Sequence, residues 1–217
     1  MFHLEKINKS FRQGQSEINV LSDLSFTLNQ GETVSIIGQS GSGKSTLLSI
    51  LSGLQTVDSG KVFFEQDDLT YFSEEQLTHF RATNLGIIFQ HFHLIPHLTA
   101  IENMLLPLEI LGIDDEERGL KLLERVGLLN RANHFPSQMS GGEMQRVAVA
   151  RALIAKPKVI LADEPSGNLD KDNANKMIEL MLDLVNEEKT SLILVTHDQV
   201  LANICQRSLH LFDGKLN

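Results

Sequence analysis

The 217-residue chain has a single cysteine, Cys205, so no internal disulfide is available and a reducing compartment suits it. It also lacks an excess of positive charge. Nineteen Lys and Arg stand against 28 Asp and Glu, for a net charge of −9. A whole-chain basic footprint for nucleic acid is therefore excluded. No apolar run approaches the roughly 20 residues that cross a bilayer. The opening MFHLEKINKSF has no basic stretch leading into an apolar one, so no signal peptide is expected. Internal repeats, low-complexity segments and linkers are missing too. These absences predict a cytoplasmic protein. What remains is ordinary globular composition, 41% hydrophobic and 22% charged, at a length that suits one domain with a subdomain.

Residues 1–28 hold short alternating runs, with Phe2 and Leu4 in one and Leu24, Phe26 and Leu28 in another. Alternation of this kind predicts half-exposed strands of an antiparallel sheet. TVSIIG (33–38) is a continuous apolar strand, followed by a glycine-rich turn and a helix from about Lys44. KVFFE (61–65) and LGIIF (85–89) read as further strands. Between 91 and 156 the spacing becomes helical, in IENMLLPLEILG, EERGLKLLERVG and GGEMQRVAVARALIA. Pro107 interrupts the first of these. Strands return as KVILAD (158–163) and SLILVT (191–196), with a helix at about 171–188 between them. Buried strands alternating with helices predict an α/β fold, a mostly parallel sheet covered on both faces. The helical block reads as an insertion into that core. The expected division is a core of 1–90 and 157–217, with its antiparallel β part, and a helical subdomain of 91–156.

GQSGSGKS (38–45) matches G-x-x-x-x-G-K-[ST] in full, between a predicted strand and a predicted helix. Gly38, Gly41 and Gly43 let the chain curl so that the amides of Gln39, Ser40, Ser42 and their neighbours point inward at phosphate oxygens. The helix start adds a partial positive charge. Lys44 is suited to the β- and γ-phosphates, Ser45 to Mg²⁺, and Thr46 to the α-phosphate. A nucleoside triphosphate is the expected ligand.

Hydrolysis needs more than a cradle. VILADEP (159–165) puts Asp163 and Glu164 at the end of an apolar strand, where open α/β sheets carry their ligand sites. Asp163 suits Mg²⁺, and Glu164 suits polarising the attacking water as a general base. Three more polar residues gain weight as a set. The amide of Gln90, at the end of LGIIFQ, can ligate Mg²⁺ or orient water. The imidazole of His197, ending SLILVTH, can contact the γ-phosphate. Asp170 follows the carboxylate pair in SGNLD.

MSGGEMQRVAVARAL (139–153) poses a different question. Ser140 and Glu143 form the S-x-x-E capping box, but that box has no need of Gly141 and Gly142. Paired glycines at a helix start suit close approach of amides to an anion. The chain would then carry two anion cradles. A triplet, His91, His93 and His97, also invites a metal reading. No carboxylate or cysteine accompanies it.

Taken as a set, these residues resemble the nucleotide-binding subunit of ABC transporters over the whole chain. The order is phosphate loop (38–45), Q-loop (Gln90), signature (Ser140, Gly141, Gly142, Glu143), Walker B (159–164), D-loop (166–170) and H-switch (His197). Met139 and Glu143 replace the commoner Leu and Gln of the signature. GNLD, SGGEMQRVAVARAL and LGIIFQHFHLIPHLTAIENMLLPLE are similar to the LolD/MacB/YbbA group, relatives of the cell-division ATPase FtsE and of bacitracin-type exporters. Ser166 stands where that group has Thr. Phe11 occupies the place of the aromatic residue that stacks on adenine.

The resemblance answers the question of two cradles. In this family two copies pack head to tail, and each signature closes over the ATP held by the other copy's phosphate loop. It implies ATP and Mg²⁺ as ligands, hydrolysis that depends on dimerisation, and placement at the cytoplasmic face of the membrane. It further implies a permease-type membrane subunit with a large extracytoplasmic domain, contacted by a minority of residues in 91–98 and 101–112 while most of them are core, and no nucleic acid. The chain stops soon after LFDGK, so no C-terminal regulatory domain is expected. A soluble ABC ATPase acting on nucleic acid or ribosomes is the alternative. Such proteins carry two cores or a long coiled-coil insertion, and neither is found here. An FtsE-like regulator without transport is another. An idle ATP binder has no support, because Lys44, Asp163, Glu164 and His197 are all present. A P-loop kinase would have no use for Ser140-Gly141-Gly142.

Overall fold

The structure is a computed structural model that describes residues 1–14 and 16–217, with all of their side chains except those of Gln13, Lys171 and Asp172. In chain order its elements are β1 (Phe2–Gln13), β2 (Ser16–Leu28), β3 (Thr33–Ile37), α1 (Lys44–Leu51), β4 (Ser59–Phe64), β5 (Asp67–Asp68), α2 (Glu74–Asn84) and β6 (Leu85–Ile88). They continue as α3 (Ala100–Ile110), α4 (Glu116–Arg125), α5 (Gly141–Leu153), β7 (Val159–Asp163), α6 (Lys171–Glu187), β8 (Ser191–Thr196), α7 (Gln199–Ala202), β9 (Arg207–Phe212) and β10 (Lys215–Leu216). The chain divides into two compact units. One is Met1–Arg81 with Ser191–Asn217, the other Ala82–Thr190.

The first unit holds the expected antiparallel sheet, in the order β2-β1-β4-β5. Its first strands are not short: they run for 12 and 13 residues. Leu4 and Ile7 are three apart and would face opposite sides of an unbroken strand. A bulge between them, with Lys6 at φ 48°, turns Ile7 back to the core, where both are fully buried. Phe2, Phe64 and Phe80 close that core edge to face, with centroids 4.9 and 5.0 Å apart along the row. Beside this sheet chain, β3 pairs in parallel with both β8 and β9, and β10 adds antiparallel to β9. Every residue of β3 and β8 is buried, as their unbroken apolar runs predict.

The second unit carries the parallel pair β6–β7 and the four helices α3 to α6. The inward side of α5 is small, with Ala148, Ala150 and Ala152 among its buried residues. Helix α3 runs through Pro107 to Ile110 instead of breaking there. Proline at this point forgoes only its own bond to the Asn103 carbonyl, one turn from the helix end, so the loss is small. Lone Cys205 is buried, which pushes its thiol up to about 11. Among the described residues no helix is long and apolar enough to cross a membrane.

One buried side chain organises the segment after β6. Asn103, fully inaccessible, donates to the carbonyls of Ile95 (3.1 Å), Leu98 (2.9 Å) and Thr99 (3.0 Å) and accepts from the Ile95 amide at 2.6 Å. Asn103→Ala is expected to strip the Ile95 amide and the Leu98 carbonyl of this partner, since the Ile95 and Thr99 carbonyls keep backbone bonds from the Leu98 and Asn103 amides, and to cost about 2–3 kcal/mol. Urea unfolding should show the lower midpoint at an unchanged slope.

Candidate active site

Within the first unit, β3 delivers the chain into the 38–43 loop and α1 receives it. Gly43, the residue before α1, has φ 102°, and a Cβ there would meet the Val20 carbonyl at 2.9 Å. A Cβ on Gly38 would meet the Leu211 carbonyl at 2.5 Å, so only glycine lets the loop lie this close to β9. Lys44 is 6% exposed and folds back over the loop, donating to the carbonyls of Gly38 (2.7 Å) and Gln39 (2.8 Å). An ammonium has three donors, so one remains for an anion. The Ser42 hydroxyl oxygen is buried with no partner in the loop. Gln39, Ser40 and Ser45 are exposed and Thr46 is half-buried. An orphaned hydroxyl, a lysine with a spare donor and a helix start fit a polyphosphate, and Ser45 offers the hard oxygen that Mg²⁺ prefers.

Phe11 lies on β1 and is 39% exposed. Its strand is tied down next door. Asp58 accepts from the Ser10 amide (2.6 Å), the Ser10 hydroxyl (2.9 Å) and the Lys9 ammonium (3.0 Å). The Ser10 amide, then Lys9, hold its carboxyl below the usual range. Lys9 also lies 5.3 Å from the Phe11 ring centroid. His197 is exposed just past the buried end of β8.

In the second unit, β7 ends at half-buried Asp163, and Glu164 follows at φ 45°. A left-handed glutamate is a strained position, of the kind that clusters at functional sites. The Gly167 amide donates to the Glu164 carbonyl at 3.0 Å, which starts the turn into α6. Asp170 caps α6, accepting from the Asn173 amide at 3.1 Å. Gln90 is exposed two residues beyond β6, and the Asn168 side chain donates to its carbonyl at 2.7 Å.

The signature forms the capping box expected of S-x-x-E. Glu143 accepts from the Ser140 amide (2.7 Å) and hydroxyl (2.9 Å), while the Glu143 amide donates to the Ser140 hydroxyl at 3.3 Å. Arg131 adds a 3.1 Å contact to the other carboxylate oxygen. Among the described residues nothing crowds the two glycines. A Cβ on Gly141 would meet only Phe92 at 3.7 Å, one on Gly142 only Arg146 at 3.9 Å, and neither has a positive φ. These are ordinary contacts at two half-buried positions, so close approach within the described residues does not account for glycine at either. Between the signature and the phosphate loop, the chain thus has two glycine-opened helix starts.

The sequence pattern of the family described as "ABC transporter" matches residues 21–167. The chain belongs to the ABC transporter family. It is that family's nucleotide-binding subunit, an ATPase. It is 43% identical over 219 residues to the lipoprotein-releasing system ATP-binding protein LolD of Bacteroides fragilis (strain YCH46), with both chains covered in full. It is 46% identical to the uncharacterized ABC transporter ATP-binding protein YbbA of Escherichia coli (strain K12), covering 97% of this chain and 93% of that one. Its fold matches the dimeric post-hydrolysis structure of the ATP-binding cassette MJ0796 bound to ADP and Pi. The TM-score is 0.91 at 37% identity, and the match covers 100% of this chain and 97% of that one.

Some residues that shape this ABC subunit gave little sign in the sequence. Arg151 donates to the carbonyls of His93 (2.7 Å) and Phe92 (2.9 Å), and burial lowers its pKa. Its one signal is a lone charge in the apolar run VAVARALIA. Asn103 and Asp58 have no motif around them.

Bonds from the Ser140 amide, then the Ser140 hydroxyl, hold the Glu143 carboxyl below its ordinary value of 4.5. A depressed folded value means the carboxylate stabilises fully above the unfolded pKa and loses that contribution as pH falls through the folded one. The stability advantage of the wild type over Glu143→Gln is therefore expected to shrink on acidification below about pH 4.5, read as melting temperature against pH.

Proposed function

We propose that this ABC ATPase works as a head-to-tail homodimer, with the bare face of Ser140, Gly141 and Gly142 in one copy closing over ATP held by the other copy's phosphate loop. The observation that carries the reading is the openness of the two signature glycines, which this chain's own packing leaves unexplained. Similarity to dimeric cassettes supports it. In this reading Gly38 to Thr46 hold the phosphates, Phe11 stacks on adenine and Asp170 serves the composite site. Ser45, Asp163 and Gln90 hold Mg²⁺, whose chemistry is to neutralise developing charge on the phosphoryl group. Glu164 takes a proton from the attacking water, with Gln90 and His197 orienting the reactants. Glu143 keeps the signature helix capped, and its charge is balanced by Arg131.

In the same reading residues 91–156 act as the helical subdomain that moves a membrane subunit. Support comes from α3. Its core side is Ile101, Met104 and Leu108, while Ile110 remains 71% exposed and Ile113, just beyond, 45%. Apolar side chains on that rim suit docking to a helix of a permease with a large extracytoplasmic domain, at the cytoplasmic face of the membrane. Lipoprotein release is the favoured work, since several relatives carry that name. The net charge of −9 disfavours the nucleic-acid alternative. The test is capture of tagged protein from detergent-solubilised membranes of its own cells, read by mass spectrometry. Recovery of one such membrane protein is expected. Recovery of ribosomal or DNA-repair proteins without one would overturn the transporter reading.

A further inference from the structure

The loop after Glu164 is built around Gln90. A Cβ on Gly167 would lie 3.1 Å from the Gln90 side-chain nitrogen and 3.4 Å from its Cγ, so the missing side chain is what lets Gln90 lie across the loop. Gly167 has no positive φ, which leaves close approach as the reason for glycine. The next residue, Asn168, donates to the Gln90 carbonyl at 2.7 Å and reaches the His91 ring at 3.5 Å. The loop is in turn fastened to Glu164 by the Gly167 amide at 3.0 Å. Past Gln90, the Arg151 fork grips the carbonyls of Phe92 and His93 from α5, the helix that opens with the signature. Gln90 is thus held by the D-loop, and the chain just past it by Arg151 of α5. Gly167 and Asn168 are both exposed. A solvent-exposed hydrogen bond adds little to stability, so holding Gln90 is a better account of Asn168 than holding the fold.

We propose that Gly167 and Asn168 are positioning residues for Gln90, holding its backbone so that its side-chain amide keeps one direction. This rests on the reading of Gln90 as a member of the catalytic set. Asn168 bonds the backbone of residue 90, so the contact survives removal of the Gln90 side chain, and a double-mutant cycle isolates the effect.

The experiment is steady-state hydrolysis of Mg-ATP by the full chain carrying Asn168→Asp, Gln90→Ala or both. Asn168→Asp keeps the shape and removes the donor. It is expected to lower kcat about tenfold and move KM less than about twofold, within the ~100-fold that ångström-scale misplacement costs. In the Gln90→Ala background it should add no further loss. Gly167→Ala, whose Cβ pushes Gln90 aside, should repeat the pattern and serves if Asn168→Asp folds poorly. A slow Gln90→Ala enzyme with Asn168→Asp at the wild-type rate would overturn the proposal alone. So would an equal loss from Asn168→Asp with and without Gln90. A wild-type rate in Gln90→Ala would overturn the catalytic reading of Gln90, and the proposal with it.

Discussion

Glu164→Gln is expected to stop hydrolysis and leave an ATP-loaded dimer that survives size exclusion. Glu164 follows buried β7 directly and is held at φ 45°, so its carboxylate is aimed by a backbone that pays for a left-handed conformation. Glutamine has the same length and the same backbone preference, so the substitution changes charge and basicity with little else. Losing the base should cost about 10²–10⁴-fold in kcat. Removing a negative charge beside a polyphosphate should at the same time strengthen ATP binding. Each helix start in the sandwich would then remain on its anion, because the anion is never cleaved. The measurement is light scattering on the eluted peak with saturating ATP and Mg²⁺. A mass twice that of one chain is expected, falling to one chain when ATP is withdrawn. A monomer throughout would sink the head-to-tail mechanism for this protein.

Much of this site is legible in the sequence, and for a physical reason. Phosphate binding needs glycine at fixed offsets, a lysine and a helix start, and those needs are local. The strand before Lys44, the capping box at Ser140 and the strand before Asp163 were each readable from fewer than a dozen consecutive letters. The sequence places helix α6 almost to the residue, since apolar residues recur at helical spacing from Ala174 to Val185. Other parts were not legible. The sequence offered no strand after His197, yet β9 completes the parallel set on β3. Its RSLHLF interleaves Arg207 and His210 with the apolar residues and is only half-buried. Strand β1 looked like short pieces because a bulge at Lys6 breaks the alternation that a strand is read by.

Pro107 misled in the opposite sense. Proline is read as a helix stop, but within one turn of the end it deletes a single bond, and α3 continues. Long-range polar contacts are the hardest class. The Asn168 bond to Gln90 spans 78 positions and the Arg151 bond to Phe92 spans 59. No periodicity or motif encodes such a pairing, because it exists only after β6, β7 and α5 have packed.

The second large effect concerns who owns the signature. Ser140→Arg is expected to abolish hydrolysis while ATP binding by a single chain stays near the wild-type level. The residue is the N-cap of α5, so part of any loss is structural, about 1 kcal/mol for a missing cap. Ser140→Ala supplies that cap loss without bulk or charge and should keep measurable activity. The arginine, by contrast, fills the bare space before Gly141 and Gly142. Lys44→Ala fails for a different reason. It removes the ammonium that bonds Gly38 and Gln39, and with it the charge on the phosphates. The two dead proteins are complementary if sites are shared between copies. A mixed dimer joins the intact phosphate loop of the Ser140→Arg chain to the intact signature of the Lys44→Ala chain. Random pairing at equal ratio makes half the dimers mixed, each with one good site of two, so about a quarter of the wild-type rate should return. Zero recovery across all mixing ratios, with both proteins folded and Ser140→Arg still binding ATP, would count against sites shared between copies, unless turnover requires both sites intact. The open glycines of α5 would then need another ligand.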